Sequence, residues 1–207
     1  ERKIVISTLK PARARLNVAV VGAGSFAQTV HLPNLQKLGN FYRIYAIVSK
    51  TGLNAKTTAK QFDVAYATTD FQEVLKDGEV DVVLIATRHH LHASMAVEAA
   101  RAGKAVFLEK PMAINPAELN QLIQALEETK VPFLVGYNRR FSPFLRRIKA
   151  IVADRKNPMI INYRMNAGFI PKDHWIHSAE GGGRNIGEAC HIYDLFNFLT
   201  ESAVQHI

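Results

Sequence analysis

From Leu16 to Ala153, short apolar runs alternate with segments patterned as helices. Leu16–Val21, Arg43–Val48, Val64–Tyr66, Asp81–Ala86, Ala105–Leu108 and Val131–Tyr137 read as strands. Asp81–Ala86 is almost continuously apolar, as expected of a strand buried on both faces of a parallel sheet. Between these runs, Asn54–Gln61, Phe71–Leu75, His92–Arg101 and Pro143–Ala153 read as helices. Gly103 follows the third as a C′ glycine, and Asn115-Pro116 opens a further helix with Asn as N-cap and Pro in the first turn. Regular strand–helix alternation predicts an α/β fold, a doubly wound parallel sheet with right-handed crossovers.

The first strand runs into Gly22-Ala23-Gly24-Ser25-Phe26-Ala27, a Gly-x-Gly-x-x-Ala loop before a helix. Gly22 allows the tight turn, Gly24 lets a pyrophosphate approach bare backbone, and Ala27 lets the helix pack closely on the strand. The free N–H groups of that helix's first turn favour an anion. In this setting the loop predicts a Rossmann dinucleotide-binding domain.

The alternation ends near Arg155-Lys156-Asn157-Pro158, which is taken as a domain boundary. Met159–Met165 alternates like a strand with one wet face, Asp173–Gly183 reads as a loop, and Cys190–Leu199 as a helix. The expected organisation is therefore a linker or N-terminal extension over 1–15, a Rossmann domain over 16–155 and the start of an α+β substrate domain over 156–207. A single helix and a strand or two would not enclose a substrate, so the chain is expected to be a fragment whose last segment is disordered, dimerises, or is covered by another domain or chain.

Composition narrows the function. Lys and Arg exceed Asp and Glu by 26 to 18, giving a net charge of +8. These basic residues are scattered apart from small groups at Lys10–Arg15, Arg139-Arg140 and Arg146–Lys149, with no basic stripe interleaved with aromatics. That pattern points to a surface attracting anionic cofactors rather than to nucleic acid. No apolar run approaches the roughly 20 residues of a membrane span. Only the short patch Ile4–Ser7 follows the first charges, so no secretory leader is expected. Cys190, the single cysteine, fits a cytoplasmic protein.

Ligands of open α/β sheets lie beyond the carboxyl ends of the strands. The second strand ends in Ser49-Lys50-Thr51, where an acidic residue would hold the ribose 2′-hydroxyl of NAD. Without a carboxylate, and with Lys50 adding attraction, NADP is favoured over NAD. The fourth strand ends in Thr87-Arg88-His89-His90-Leu91-His92. With no local carboxylate or cysteine to complete a metal site, this reads as a loop on the nicotinamide side, and no metal is expected. The fifth ends in Glu109-Lys110-Pro111. A partly desolvated lysine there could hydrogen-bond a reacting hydroxyl, although a surface lysine before a turn proline has the same local signature. The same two readings compete at Asn138-Arg139-Arg140-Phe141 after the sixth strand. His191 and Asp194, three apart, share a helix face where an imidazole could take a proton or simply pack.

In this order, the glycine loop, the loop closing on His92, Glu109-Lys110-Pro111, Asn138–Phe141 and Gly181-Gly182-Gly183 with His191 and Asp194 resemble the Gfo/Idh/MocA family (glucose–fructose oxidoreductase and inositol dehydrogenase). The resemblance covers residues 16–207. It implies hydride transfer between NADP or NAD and a carbinol of a sugar, cyclitol or sugar nucleotide, without metal. It implies that Lys110 contacts the reacting hydroxyl and nicotinamide ribose, with Glu109 and Pro111 shaping its loop and the Lys110–Pro111 bond often cis. His191 is then the general base. Gly22, Gly24, Ser25, Phe26, Ala27, Ser49, Lys50, Thr51, Thr87, Arg88, His89, His92, Glu109, Lys110 and Asn138 line the cofactor. Lys110, Arg139, His174, Trp175, Asp194 and His191 face a small sugar-like substrate. A homo-oligomer, or fusion to another domain such as an alcohol-dehydrogenase-like module, is also implied.

One position departs from the pattern. Relatives with an Asp-x-x-x-His pair would carry Asp at 187, where this chain has Gly187. The adjacent Glu188 points about 100° away on a helix, so the proton relay is altered, and water, Glu188 or Lys110 must substitute. A nucleotide-binding or sensing protein with weak or no turnover is the alternative this departure raises.

Overall fold

The apolar runs become a seven-stranded sheet in the computed structural model, which describes residues 3–5 and 15–206. Its strands are β1 (Lys3–Val5), β2 (Leu16–Val21), β3 (Tyr42–Val48), β4 (Tyr66–Thr68), β5 (Val82–Ile85), β6 (Ala105–Leu108) and β7 (Phe133–Val135). They lie in the order β1-β4-β3-β2-β5-β6-β7, all parallel except β1, which pairs antiparallel with β4. Strand order reverses on either side of β2, the switch point of a Rossmann sheet, where the β3 and β5 connections leave in opposite directions.

The helices are α1 (Leu32–Lys37), α2 (Gly52–Gln61), α3 (Phe71–Lys76), α4 (His92–Arg101), α5 (Pro116–Thr129), α6 (Pro143–Val152) and α7 (Cys190–Thr200). Alternation along β2 sends Ala19 and Val21 into one buried cluster with α3, α4 and α5, and Val18 and Val20 into another with α1 and α2. The β2–β3 register slips between Val18 and Ala19, so Tyr45 is the extra residue of a bulge. Past that bulge Ile47 faces the same side as Ile44. Local signals act as expected at α5, where the Asn115 side chain accepts from Glu118 N at 3.0 Å, and at Gly103, whose φ of +74° ends α4.

The described residues form two compact units, one ending at Val135 and the other beginning at Gly136. The boundary expected at 155/156 falls inside the second unit. Residues 3–5, within the expected extension, form β1, whereas 1–2 and 6–14, including most of the Lys10–Arg15 basic group, lie outside the described residues.

Two expectations need correction. The third predicted strand lies two residues further on: Val64 and Ala65 are buried but precede the ladder that begins at Tyr66. The helix expected after the glycine loop is present: it begins at Ser25, where Gln28 N donates to Gly24 O, and then passes through a π-helical turn, Ala27–His31, in which Leu32 N donates to Ala27 O. Pro33 explains the wider turn, because it has no N–H to give and its ring crowds the carbonyl four residues earlier. Finally, Met159–Met165 is not a strand. Its alternation is real, but among the described residues no neighbouring strand hydrogen-bonds to it, and an extended segment becomes a strand only through such pairing.

Candidate functional site

In the first unit, the loops beyond β2, β3, β5 and β6 carry the candidate cofactor residues. Gly22 has φ +97°, and a Cβ there would meet Ala86 O at 2.5 Å, so the β2 turn and the end of β5 touch through bare backbone. Gly22 N donates to Val48 O and Ala86 N to Val21 O, which ties the three strand ends together. Gly24 differs: a Cβ there would find nothing within 4 Å. Ser25 and Phe26 beside it are exposed, whereas Ala27 is 1% exposed and packs in the core.

Two carboxamides that sequence reasoning did not single out hold this loop. Gln28 Nε2 and Asn54 Nδ2 both donate to Ala23 O at 2.9 Å, filling its two lone pairs. Asn54 Nδ2 also donates to Ser49 Oγ at 2.8 Å. Ser49 is buried at the end of β3, Lys50 and Thr51 are exposed, and Thr51 caps α2 by accepting from Asn54 N.

At the end of β5, His89 is buried and Thr87 Oγ1 donates to Arg88 O, whereas Arg88 is exposed. His92, expected at the cofactor, is 1% exposed, with Nδ1 2.7 Å from Pro111 O and Nε2 3.2 Å from Thr87 O. Burial holds its pKa below the usual imidazole value, the two carbonyls only partly opposing this. His92 thus sits between the Thr87 loop and the Lys110 loop; a neutral ring carries one N–H and donates to one of these carbonyls, Pro111 O being the nearer.

The end of β6 carries Glu109 and Lys110, and the Lys110–Pro111 peptide is cis. Glu109 accepts from Lys110 N at 3.2 Å and lies 2.8 Å from Nε2 of His31. The His31 ring meets Phe26 and Phe107 edge-on, at 5.1 and 5.5 Å between centroids. His31 therefore braces the glycine-loop helix against the lysine loop. It has no local sequence signal, since its partner is 78 residues away.

The second unit carries the remaining candidates. Tyr137 meets the His191 ring edge-on at 6.0 Å, and its hydroxyl is pushed up to about 12 by burial, with Cys190 and Asp194 adding to the effect. His191 is buried near the start of α7. Asp194, expected to face substrate, instead gives both carboxylate oxygens to Arg140, with Nε–Oδ2 at 2.9 Å and a second contact through Nη2. The Arg140 guanidinium also lies 5.6 Å from the Phe198 ring centroid. Asn138 and Arg139 share the 3₁₀ turn with Arg140, and Arg139 Nη1 donates to the Tyr163 hydroxyl at 3.2 Å.

His174 Nδ1 accepts from Ile176 N and its ring lies against Trp175, at the head of a short 3₁₀ turn. Gly181 is required by close approach, because a Cβ would meet Ile176 backbone at 2.4 Å. Gly187 is buried in a π-helical turn, Asn185–Ala189. Its neighbour Glu188 accepts from Arg184 Nε at 2.8 Å. That contact uses one carboxylate oxygen of a partly exposed side chain.

A nicotinamide dinucleotide fits the first unit on a specific observation. The space that a Cβ would fill at Gly24 is open, next to the exposed Ser25 and Phe26, at the switch point of the sheet. Fold and loop together define a Rossmann dinucleotide-binding domain. Residues 16–137 match the GFO_IDH_MocA profile, described as an oxidoreductase family with an NAD-binding Rossmann fold. The chain belongs to this Gfo/Idh/MocA oxidoreductase family.

Among its relatives is the uncharacterized oxidoreductase YrbE of Bacillus subtilis, 27% identical over 91% of this chain and 54% of that protein. Another is myo-inositol 2-dehydrogenase of Thermotoga maritima, 24% identical over 93% of this chain and 57% of that protein. A solved levoglucosan dehydrogenase in complex with NADH and L-sorbose superimposes with a TM-score of 0.79 at 25% identity, over 89% of this chain and 52% of that one. The chain thus spans about half the length of these relatives. Among the described residues no helix is long and apolar enough to cross a membrane.

Proposed function

We propose that this chain belongs to an NAD(P)-dependent oxidoreductase acting on a carbinol of a sugar, cyclitol or sugar nucleotide. The observation that carries the reading is the open backbone at Gly24, beside the switch point and in the same unit as Lys110 at the end of β6. Relatives named for inositol and levoglucosan support the substrate class. The dinucleotide, when bound, accepts or supplies the hydride at its nicotinamide ring.

The chain's own residues then divide the remaining work. Gly22 and Gly24 with the first-turn amides hold the pyrophosphate, and Ser49, Lys50 and Thr51 hold the adenine ribose. Since no carboxylate stands at that strand end and Lys50 is exposed there, the preferred cofactor is NADP. Thr87, Arg88 and His89 border the nicotinamide side. Glu109, braced by His31, sets the backbone of Lys110, whose ammonium hydrogen-bonds the reacting hydroxyl. His191 takes the hydroxyl proton on a ring nitrogen, and Arg139, His174 and Trp175 contact the substrate. Asp194 acts one step back, holding Arg140 against α7.

Calorimetric titration of the full chain with NADP and NAD, followed by turnover on a panel of sugars and cyclitols, tests this. Gly24→Val should abolish dinucleotide binding and leave the fold intact, because the added side chain enters open space and not the core. Unchanged affinity in that variant would refute the site.

A further inference from the structure

We propose that Asn54 determines cofactor choice by turning the hydroxyls of Ser49 and Thr51 outward as hydrogen-bond donors toward a ribose 2′-phosphate. This rests on the reading of Ser49-Lys50-Thr51 as the ribose site, and adds a specificity-determining residue outside that triplet.

The orientation of the Asn54 carboxamide follows from chemistry. Its nitrogen lies 2.9 Å from Ala23 O, a backbone carbonyl that can only accept, so the NH2 group and not the oxygen must face the glycine loop. Gln28 Nε2 completes the arrangement at 3.4 Å from Asn54 Oδ1. The second N–H of Asn54 then goes to Ser49 Oγ at 2.8 Å. Ser49 accepts in that bond, so its own proton must point elsewhere. The backbone N–H of Asn54 makes a longer contact, 3.4 Å, to Thr51 Oγ1, which biases the second hydroxyl the same way.

Asn54 thus donates to both hydroxyls at the end of β3, through its side chain to Ser49 and through its backbone N–H to Thr51, with the exposed Lys50 between them; the side chain itself governs Ser49. Two outward O–H donors and a cation suit a group that only accepts and carries negative charge, as an ionised phosphate does. A 2′-hydroxyl can still bond here, because each side-chain hydroxyl keeps a second lone pair, but it offers no charge to the two O–H groups and Lys50, and the 2′-phosphate does.

The test is the ratio of NAD to NADP dissociation constants, measured by calorimetry on the full chain, with thermal unfolding to check folding. The wild-type chain should bind NADP more tightly. Asn54→Asp places an acceptor and a charge where the donor stood, and should lower the ratio by about tenfold or more, the typical effect of losing a hydrogen bond to a charged group. Asn54→Ala, which introduces no charge, should lower it by a few-fold. In a Ser49→Ala background Asn54→Ala should change the ratio much less, because residues acting through one another are non-additive.

If the wild type prefers NADP and both Asn54 variants keep that preference, the role of Asn54 is overturned while the ribose reading stands. A ratio lowered by Asn54→Asp alone is charge repulsion and also overturns it. A wild-type chain that binds NAD as tightly as NADP removes the ribose reading and this proposal together.

Discussion

In the unit ending at Val135, Val20, Ile47, Ile85 and Leu108 have at most 1% of their surface exposed, and apolar side chains pack on both faces of the sheet. From Gly136 onward the buried apolar residues are Ile176, Leu195 and Leu199, and α6 buries none of its residues. Phe144 on that helix is 82% exposed. The second unit also carries ion pairs, Arg140 with Asp194, Arg184 with Glu188 and Lys149 with Glu201, the last two with both side chains at least partly exposed. The difference matters because apolar packing is non-directional and tolerates small shifts, whereas a charged pair depends on geometry and is weakened by water. The cofactor loops therefore stand on a deeply buried apolar base, and the elements around His191 on a much less buried one.

The largest expected effect separates the chemical roles of the two units. In an enzyme with measurable turnover, Lys110→Ala and His191→Ala should each reduce the maximal rate about 100- to 10,000-fold, the usual contribution of a positioned proton-transfer group. Dinucleotide affinity should barely move. Near-normal turnover in either variant removes that residue from the chemistry.

Stability separates them next. Leu108→Ala should cost about 2–5 kcal/mol by chemical denaturation, since it leaves a cavity in a close-packed core. Phe144→Ala should stay within about 0.5 kcal/mol, as for an exposed position. If the two costs are alike, Phe144 is covered in solution and the contrast between the units fails.

Breaking the Arg140–Asp194 pair sharpens the comparison further. Arg140→Leu strands a buried carboxylate, and because Arg140 itself is partly exposed the cost should be about 1–3 kcal/mol. Protease digestion should show cleavage beginning in the second unit while the first persists. Simultaneous loss of both units would show that the polar pair supports more than its own unit.

The smallest effect concerns pH. Lys149 holds the Glu201 carboxyl below the usual glutamate range, chiefly through their hydrogen bond. Its folded pKa is depressed, so the contact is intact at neutral pH and is lost as pH falls through that lowered value. Carbon-detected NMR titration should place the Glu201 midpoint below that of a free glutamate, and Lys149→Met should return it to the ordinary range. A midpoint unaffected by the substitution would show that the pair does not form in solution.

Much of the first unit was legible in advance because its signals are local. The Asn115 cap, Gly103 and the continuous apolar run of β5 each depend on a few neighbouring residues. The cis Lys110–Pro111 bond, implied by resemblance alone, is present. Less legible was the work of side chains that look alike in sequence. His92 and Asp194 were expected to meet ligands and are committed to Pro111 O and Arg140, while His31, Gln28 and Asn54 passed without notice.

By itself the sequence determined the period of each element, most of the strand and helix positions, and the class of ligand its glycine loop suits, because these follow from backbone sterics and hydrophobic spacing over short distances. Tertiary structure alone decided which polar groups meet. His31 and Glu109 are 78 residues apart, and Arg140 and Asp194 are 54 apart. A hydrogen bond forms only within a few tenths of an ångström of its preferred length, and that approach is set by sheet order and helix packing rather than by either residue. For the same reason Met159–Met165 has the alternation of a strand without being one: a strand is defined by its neighbour, which its own residues do not supply.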